Sequence, residues 1–190
     1  MKILVVGGGG REHAIIKKLK ENPAVTEIFA LPGNGGISAD ATCVPIGATD
    51  LDGIVQFVKE HPVDYAVVTP DDPLVLGCVD RLNEIGVPCF GPKQNAAVIE
   101  GSKAFAKDLM KKYHIPTARY ETFSDLQAAL DYVQAQPLPL VVKADGLALG
   151  KGVLICQTRE EAVNAVTDMM ANAKFGKSGS TVVIEEFLKG

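Results

Sequence analysis

The chain has 190 residues, 47% of them apolar and 22% charged, with a formal net charge of −4. This is globular composition, without a run of about 18 apolar residues for a membrane span and without Trp or a basic–aromatic cluster for nucleic acid. The start, Met1-Lys2-Ile3-Leu4-Val5-Val6, runs straight into glycines rather than through the apolar segment of a signal peptide, and Cys43, Cys78, Cys89 and Cys156 form no C-x-x-C pair, so reduced core cysteines in a cytoplasmic protein are expected.

In chain order, strands are predicted at Lys2–Val6, Glu27–Leu31, Tyr65–Thr69 and Pro88–Phe90, with helices at about 11–21, 51–60 and 73–85 between them. Leu51, Ile54, Val55 and Val58 share one helical face, and Asp50 is placed to cap that helix. Asp72 followed by Pro73 reads as an N-cap and first-turn pair. Strands alternating with helices imply an α/β, doubly wound parallel sheet, Rossmann-like, that binds ligands beyond the carboxyl ends of its strands.

A different pattern follows. Ser102–Tyr113 is a predicted helix with Phe105, Leu109 and Tyr113 spaced by four. Then come a strand near 119–123, a helix at 125–135, strands at Leu140–Ala144 and 153–157, a helix at 159–172 and a last strand, Thr181–Phe187. Capping boxes are expected at Ser124–Gln127 and Thr158–Glu161. The expected organisation is a first domain over 1–101, a connecting helix over 102–118 and an α+β lobe over 119–190.

Gly7-Gly8-Gly9-Gly10 lies between a strand and a helix, where backbone amides and a helix N-terminus favour an anion. The run lacks the third glycine of G-x-G-x-x-G, and the second strand ends Leu31-Pro32-Gly33-Asn34 without an acid for a ribose, which disfavours a nicotinamide oxidoreductase. Arg11 could clamp a phosphate bidentately. Glu12 could meet ribose hydroxyls, orient Arg11 or simply complement the helix dipole, and His13 reads as structural. Lys143 ends a buried strand, where a lysine is costly unless a charge meets it. The loop Asp145–Gly152 is not a Walker A loop, since neither its glycine spacing nor the residue after Lys151 fits. Lys103, Lys107 and Lys111 recur every four residues, and a solvated stripe is the expectation for Lys107 and Lys111. No Ser-His-Asp or Cys-His set is visible. No metal pair is either, since Asp71-Asp72 belongs to a loop and helix cap and Glu160-Glu161 opens a helix.

The segments Val5–Ala14, Pro32–Gly36, Gly91-Pro92-Lys93, Glu100–Lys107, Val142–Val153 and Val183–Leu188, in that order, closely resemble the glycinamide ribonucleotide synthetase (phosphoribosylamine–glycine ligase) family of the ATP-grasp superfamily. The family usually carries Gly-Pro-Glu-Ala-Pro-Leu where this chain has Thr69-Pro70-Asp71-Asp72-Pro73-Leu74, so Asp71 keeps the acid but is one methylene shorter.

The resemblance implies a pre-ATP-grasp domain followed by an ATP-grasp small lobe. Gly7, Gly8, Gly9, Gly10, Arg11, Glu12, Asn34 and Asp71 would bind 5-phosphoribosylamine. Lys103, Lys143, Gly146, Gly150, Lys151 and Gly152 would meet ATP phosphates, the last four in a loop expected to be mobile without nucleotide. Glu185 would accept from the adenine amine, with Glu186 and Leu188 offering main-chain groups. ATP and Mg²⁺ (or Mn²⁺) would be the cofactors, and glycine the second substrate. The resemblance further implies that the rest of the ATP-grasp domain and a C-terminal domain follow residue 190, and that this polypeptide alone is inactive. Another ATP-grasp carboxylate–amine ligase or a non-catalytic sugar-phosphate module are the other readings.

Overall fold

A computed structural model describes residues 1–147, 152–172 and 179–189. The chain divides into two compact units, Met1–Ala97 and Val98–Gly190. The first contains β1 (Lys2–Gly7), α1 (Gly10–Lys20), β2 (Glu27–Pro32), a 3-10 turn at Ile37–Ala39, β3 (Thr42–Cys43), α2 (Leu51–Glu60), β4 (Tyr65–Val68), α3 (Asp71–Val75), α4 (Cys78–Glu84) and β5 (Cys89–Phe90). The division falls within α5 (Gln94–Gly101).

All five strands of the first unit pair in parallel, in the order β3-β2-β1-β4-β5. The order reverses between β1 and β4, and this is where an open α/β sheet forms a crevice at its carboxyl edge. Alternation along the strands splits the core. Leu4, Val6, Phe29, Leu31, Ala66 and Val68 pack on α2 and α4, whereas Ile3, Val5, Ile28, Ala30 and Val67 pack with Ile16 of α1. Each such aliphatic side chain contributes about 1.5–3 kcal/mol on burial.

Local chemistry sets the element ends. The Asp50 carboxylate accepts from the Gly53 N–H at 2.9 Å and starts α2. The predicted helix at 73–85 is instead two helices, because Gly77 turns left-handed at φ +90° between them. Asp72 is not the cap: Pro70 is, and Pro73 sits inside the first turn, where its missing N–H has no intrahelical acceptor to lose. The two-residue strand β3 carries no hydrophobic period, which is why the sequence did not announce it.

The second unit contains α6 (Lys103–Lys112), β6 (Tyr120–Phe123), α7 (Leu126–Ala135), β7 (Leu140–Ala144), β8 (Val153–Cys156), α8 (Arg159–Met170) and β9 (Val182–Glu186). Its sheet is antiparallel, in the order β6-β9-β7-β8. Leu140, Val142, Ala144, Val182 and Ile184 face Val133 of α7 and Ala162, Val166 and Met169 of α8. The capping box at Thr158 and Glu161 forms. The one expected at Ser124 does not: Asp125, one residue on, accepts from the Ala128 N–H at 2.8 Å and opens the helix. Among the described residues no helix is long and apolar enough to cross a membrane.

The four cysteines are free, with Cys78 and Cys156 buried. Burial pushes the Cys78 thiol up to about 12 and that of Cys89 up to about 11. A thiol must ionise to react, so iodoacetamide at pH 8 should leave both unmodified in the native protein and alkylate both after denaturation. Peptide mass mapping reads this, and native labelling of Cys78 would contradict its burial.

Candidate functional site

Two sites emerge, one in each unit. In the first, the glycine run follows β1 at the reversal of strand order. Gly7 closes the strand at φ +126°, Gly9 is the N-cap of α1 and Gly10 its first residue. Each close approach here excludes a side chain. A Cβ on Gly8 would lie 2.5 Å from the Gly33 carbonyl oxygen, and one on Gly7 would lie 2.7 Å from Glu12 Cγ and 2.9 Å from Pro70. The loop after β1 is bound to the loop after β2, for the Gly33 N–H donates to the Gly7 carbonyl at 3.1 Å. Asn34 donates through Nδ2 to the Gly8 carbonyl at 2.7 Å, while its Oδ1 accepts from the Gly36 and Ile37 N–H groups at 2.8 and 2.9 Å.

Glu12 is buried, with 4% exposure. Its Oε2 accepts from the Gly9 N–H at 2.7 Å and its Oε1 from the Thr69 hydroxyl at 2.6 Å. The carboxylate therefore clamps the loop after β1 to the loop after β4, and neither oxygen is turned to Arg11. Thr69 stands where the sequence departs from the pattern of the family it resembles, and its hydroxyl supplies half of this clamp. Asp71 begins α3 at the carboxyl end of β4, half-buried.

Arg11 is exposed and lines a cavity of about 820 Å³ whose walls include Ile15, Thr69, Phe90 and Pro92. His13 Nε2 is 2.9 Å from Asp40. Lys20, and then His13, hold the Asp40 carboxyl well below the usual carboxylate range. These contacts pin α1 to the 3-10 turn, a structural role for His13.

The second site occupies the sheet face of the second unit opposite α7 and α8. Antiparallel pairing aligns Tyr120, Glu185, Val141 and Ile155 in one row, and Thr122, Val183, Lys143 and Val153 in the next. Val153 and Ile155 are exposed and Val141 half-buried, so the β7–β8 half of this face is an apolar strip with Lys143 in it. Glu185 is buried, and its Oε1 lies 2.7 Å from Lys143 Nζ and its Oε2 3.1 Å from Lys107 Nζ.

The solvated stripe expected for Lys107 is thus overturned. Lys107 is buried, while Phe105 and Tyr113 of the expected apolar face are exposed. The reason lies far along the chain, in Glu185, whose carboxylate makes the burial of an ammonium affordable. Lys107 also donates to Thr117 Oγ1 at 2.7 Å and to the Ala118 carbonyl at 3.3 Å. Sequence reasoning missed it because its spacing matches Lys103 and Lys111.

Ser102 caps α6 and donates to Asp145, which also accepts from the Ala104 N–H at 3.1 Å. Lys103 Nζ donates to the Gly146 carbonyl at 2.7 Å, and burial lowers its pKa. Lys103 and the turn that follows β7 are thereby joined. The Gly152 carbonyl accepts from the Ala144 N–H at 2.8 Å, whereas Gly150 and Lys151 lie outside the described residues.

Glu186 is fastened to Arg119, whose backbone N–H and Nε each donate at 2.8 Å and hold its carboxyl below the ordinary value. Its own N–H donates to the Arg119 carbonyl at 3.0 Å, so of its main-chain groups the N–H is already committed. Leu188, past the strand, is exposed. Among the described residues no group of three His, Cys, Asp or Glu side chains could hold a metal ion.

A parallel sheet with its crevice at a glycine turn, followed by an antiparallel lobe with a lysine on its open face, is the layout of an ATP-grasp protein's amino-terminal part. Residues 1–100 match the family model described as phosphoribosylglycinamide synthetase, N domain, and residues 101–190 that of the same synthetase's ATP-grasp (A) domain. The chain belongs to the phosphoribosylglycinamide synthetase family. The phosphoribosylamine–glycine ligase of Vibrio vulnificus strain YJ016 is 51% identical over 192 residues, which cover 100% of this chain and 45% of the relative. The crystal structure of the Thermotoga maritima phosphoribosylamine–glycine ligase is 33% identical with a TM-score of 0.82, over 100% of this chain and 44% of that one. The biotin carboxylase domain of Hydrogenobacter thermophilus 2-oxoglutarate carboxylase, crystallised with MgADP, ADP and bicarbonate, is 20% identical with a TM-score of 0.78 over 99% of this chain and 44% of that one, a likeness of fold alone. The chain spans less than half the length of the curated relatives it matches.

The glycine run separates two kinds of glycine. Gly8→Ala should lower stability by about 1–3 kcal/mol, because the added Cβ meets backbone that cannot step aside. Gly10→Ala, with nothing within 4 Å of its Cβ, should be neutral or slightly stabilising. Urea melts of both variants check this, and equal midpoints would show that the loops are not held as described.

Proposed function

We propose that this chain is part of an ATP-dependent ligase that joins glycine to 5-phospho-D-ribosylamine in purine biosynthesis. The observation that carries this reading is the open face of the second unit. A lysine beside an apolar strip of Val141, Val153 and Ile155 suits a purine nucleotide, whose flat base needs apolar contact and whose phosphates need cations. In this reading the γ-phosphate passes to the glycine carboxylate, giving an acyl phosphate. The ribosylamine nitrogen then attacks the acyl carbon and displaces phosphate, leaving ADP and glycinamide ribonucleotide.

The chain's own residues bind and orient rather than form covalent bonds. Lys143 and Lys103 would neutralise nucleotide phosphates, with Gly146, Gly150, Lys151 and Gly152 closing over them. Glu185 would accept from the adenine amine, and Glu186 and Leu188 would offer main-chain groups. Gly7–Gly10 and Arg11 would hold the sugar 5-phosphate at the N-terminus of α1, with Asp71 reaching the sugar. Glu12 and Asn34, whose polar atoms are spent within the loops, would shape that site. Mg²⁺ or Mn²⁺ would supply further charge neutralisation when bound. A cytoplasmic location accords with free cysteines.

Arg11→Ala in the full-length protein should raise the ribosylamine KM about 10- to 100-fold, the worth of a lost charge-assisted pair, with a smaller effect on ATP. An unchanged ribosylamine KM would refute the assignment. Phosphate release that requires both glycine and ribosylamine separates this ligase from other ATP-grasp enzymes.

A further inference from the structure

Two lysines meet one carboxylate in the second unit, and the cluster carries one surplus positive charge. The geometry decides where that surplus resides. The Lys107 side chain is 7% exposed, and its ammonium has three partners: hydrogen bonds to Thr117 Oγ1 and the Ala118 carbonyl and an ion pair with Glu185 Oε2. Lys107 also lies 5.3 Å from the centroid of the Tyr120 ring. Buried among these partners, it is not open to a ligand.

Lys143 is the opposite case. Its side chain is 24% exposed, and among the described residues its one partner is Glu185. That contact is an ion pair at 2.7 Å, and no other side chain among the described residues holds the ammonium. Lys143 stands on the open face of the sheet.

We infer that Lys107 is a positioning residue for nucleotide binding: by engaging Glu185 it frees the charge of Lys143 for the phosphates. Without Lys107, Lys143 would have Glu185 to itself. The pair would be neutral, the Lys143 ammonium would be drawn toward the buried carboxylate, and an incoming phosphate would meet no net charge. This inference rests on the reading of Lys143 as a phosphate contact.

The test is titration of the full-length protein with the ATP analogue AMP-PNP and Mg²⁺, with the fold of each variant checked by circular dichroism. K107M should weaken AMP-PNP binding about tenfold although residue 107 cannot touch the nucleotide, and leave the glycine KM unchanged. K107R, which keeps the charge, should restore affinity. Adenosine, which has no phosphates for Lys143 to meet, should bind K107M within about threefold of wild type. A purely structural role predicts otherwise, with adenosine weakened in K107M as much as AMP-PNP, and that result overturns the inference, as does wild-type AMP-PNP affinity in K107M. Should K107M not fold, K107Q, which keeps a donor for Thr117, is read in the same way. K143M tests the reading beneath: if it binds AMP-PNP like wild type, the phosphate role of Lys143 is wrong. If K143M loses binding and K107M does not, only the inference falls.

Discussion

A carboxylate removed from water must be met by donors or cations, and two buried glutamates organise what this protein presents to its ligands. Glu185 is the more demanding. It sits in the middle of an antiparallel sheet, on the face away from α7 and α8, where its neighbours in the ladder are Tyr120 and Val141. Lys107 reaches it from α6 and Lys143 from the adjacent strand. Burying such a cluster is not an economical way to stabilise a fold, since well-packed apolar side chains of similar volume serve as well or better. Its use lies in fixing where charge stands. The apolar strip along β7 and β8 then adjoins a cation whose partner is shared rather than exclusive.

Glu12 solves the same problem with neutral donors. A backbone N–H from Gly9 and a hydroxyl from Thr69 satisfy its two oxygens, and in doing so they set the spacing of the loops at the crevice. The glycines around it are required by contact as much as by conformation: Gly7 and Gly8 have no room for a Cβ, while Gly10 has open space. The first-turn position of Glu12 also complements the dipole of α1. Of the roles open to it in the sequence, the dipole role is compatible with this geometry, and orienting Arg11 is not.

Much of the architecture was legible. The period-2 and period-3.6 patterns located nearly all the long elements within a residue or two, because each buries one face against one core. The failures share a cause. Gly77 split a helix whose apolar period runs on through it, Asp125 displaced Ser124 as a cap one residue away, and β3 was too short to show a period. In each case the pattern was local but the decision depended on backbone geometry at a single residue.

By itself the sequence determined a parallel α/β unit followed by an α+β lobe, the glycine turn after β1, the absence of a dinucleotide fingerprint and the family. These follow from periodicity, glycine spacing and ordered motifs, all properties of neighbouring residues. Only the tertiary structure decided which charged groups are solvated and which are paired. Lys103, Lys107 and Lys111 are equivalent on a helical wheel, yet one binds a turn carbonyl and one is buried against Glu185. The energy of an ion depends on what replaces its water, and those partners arrive from β7, β9 and the loops only when the chain is folded.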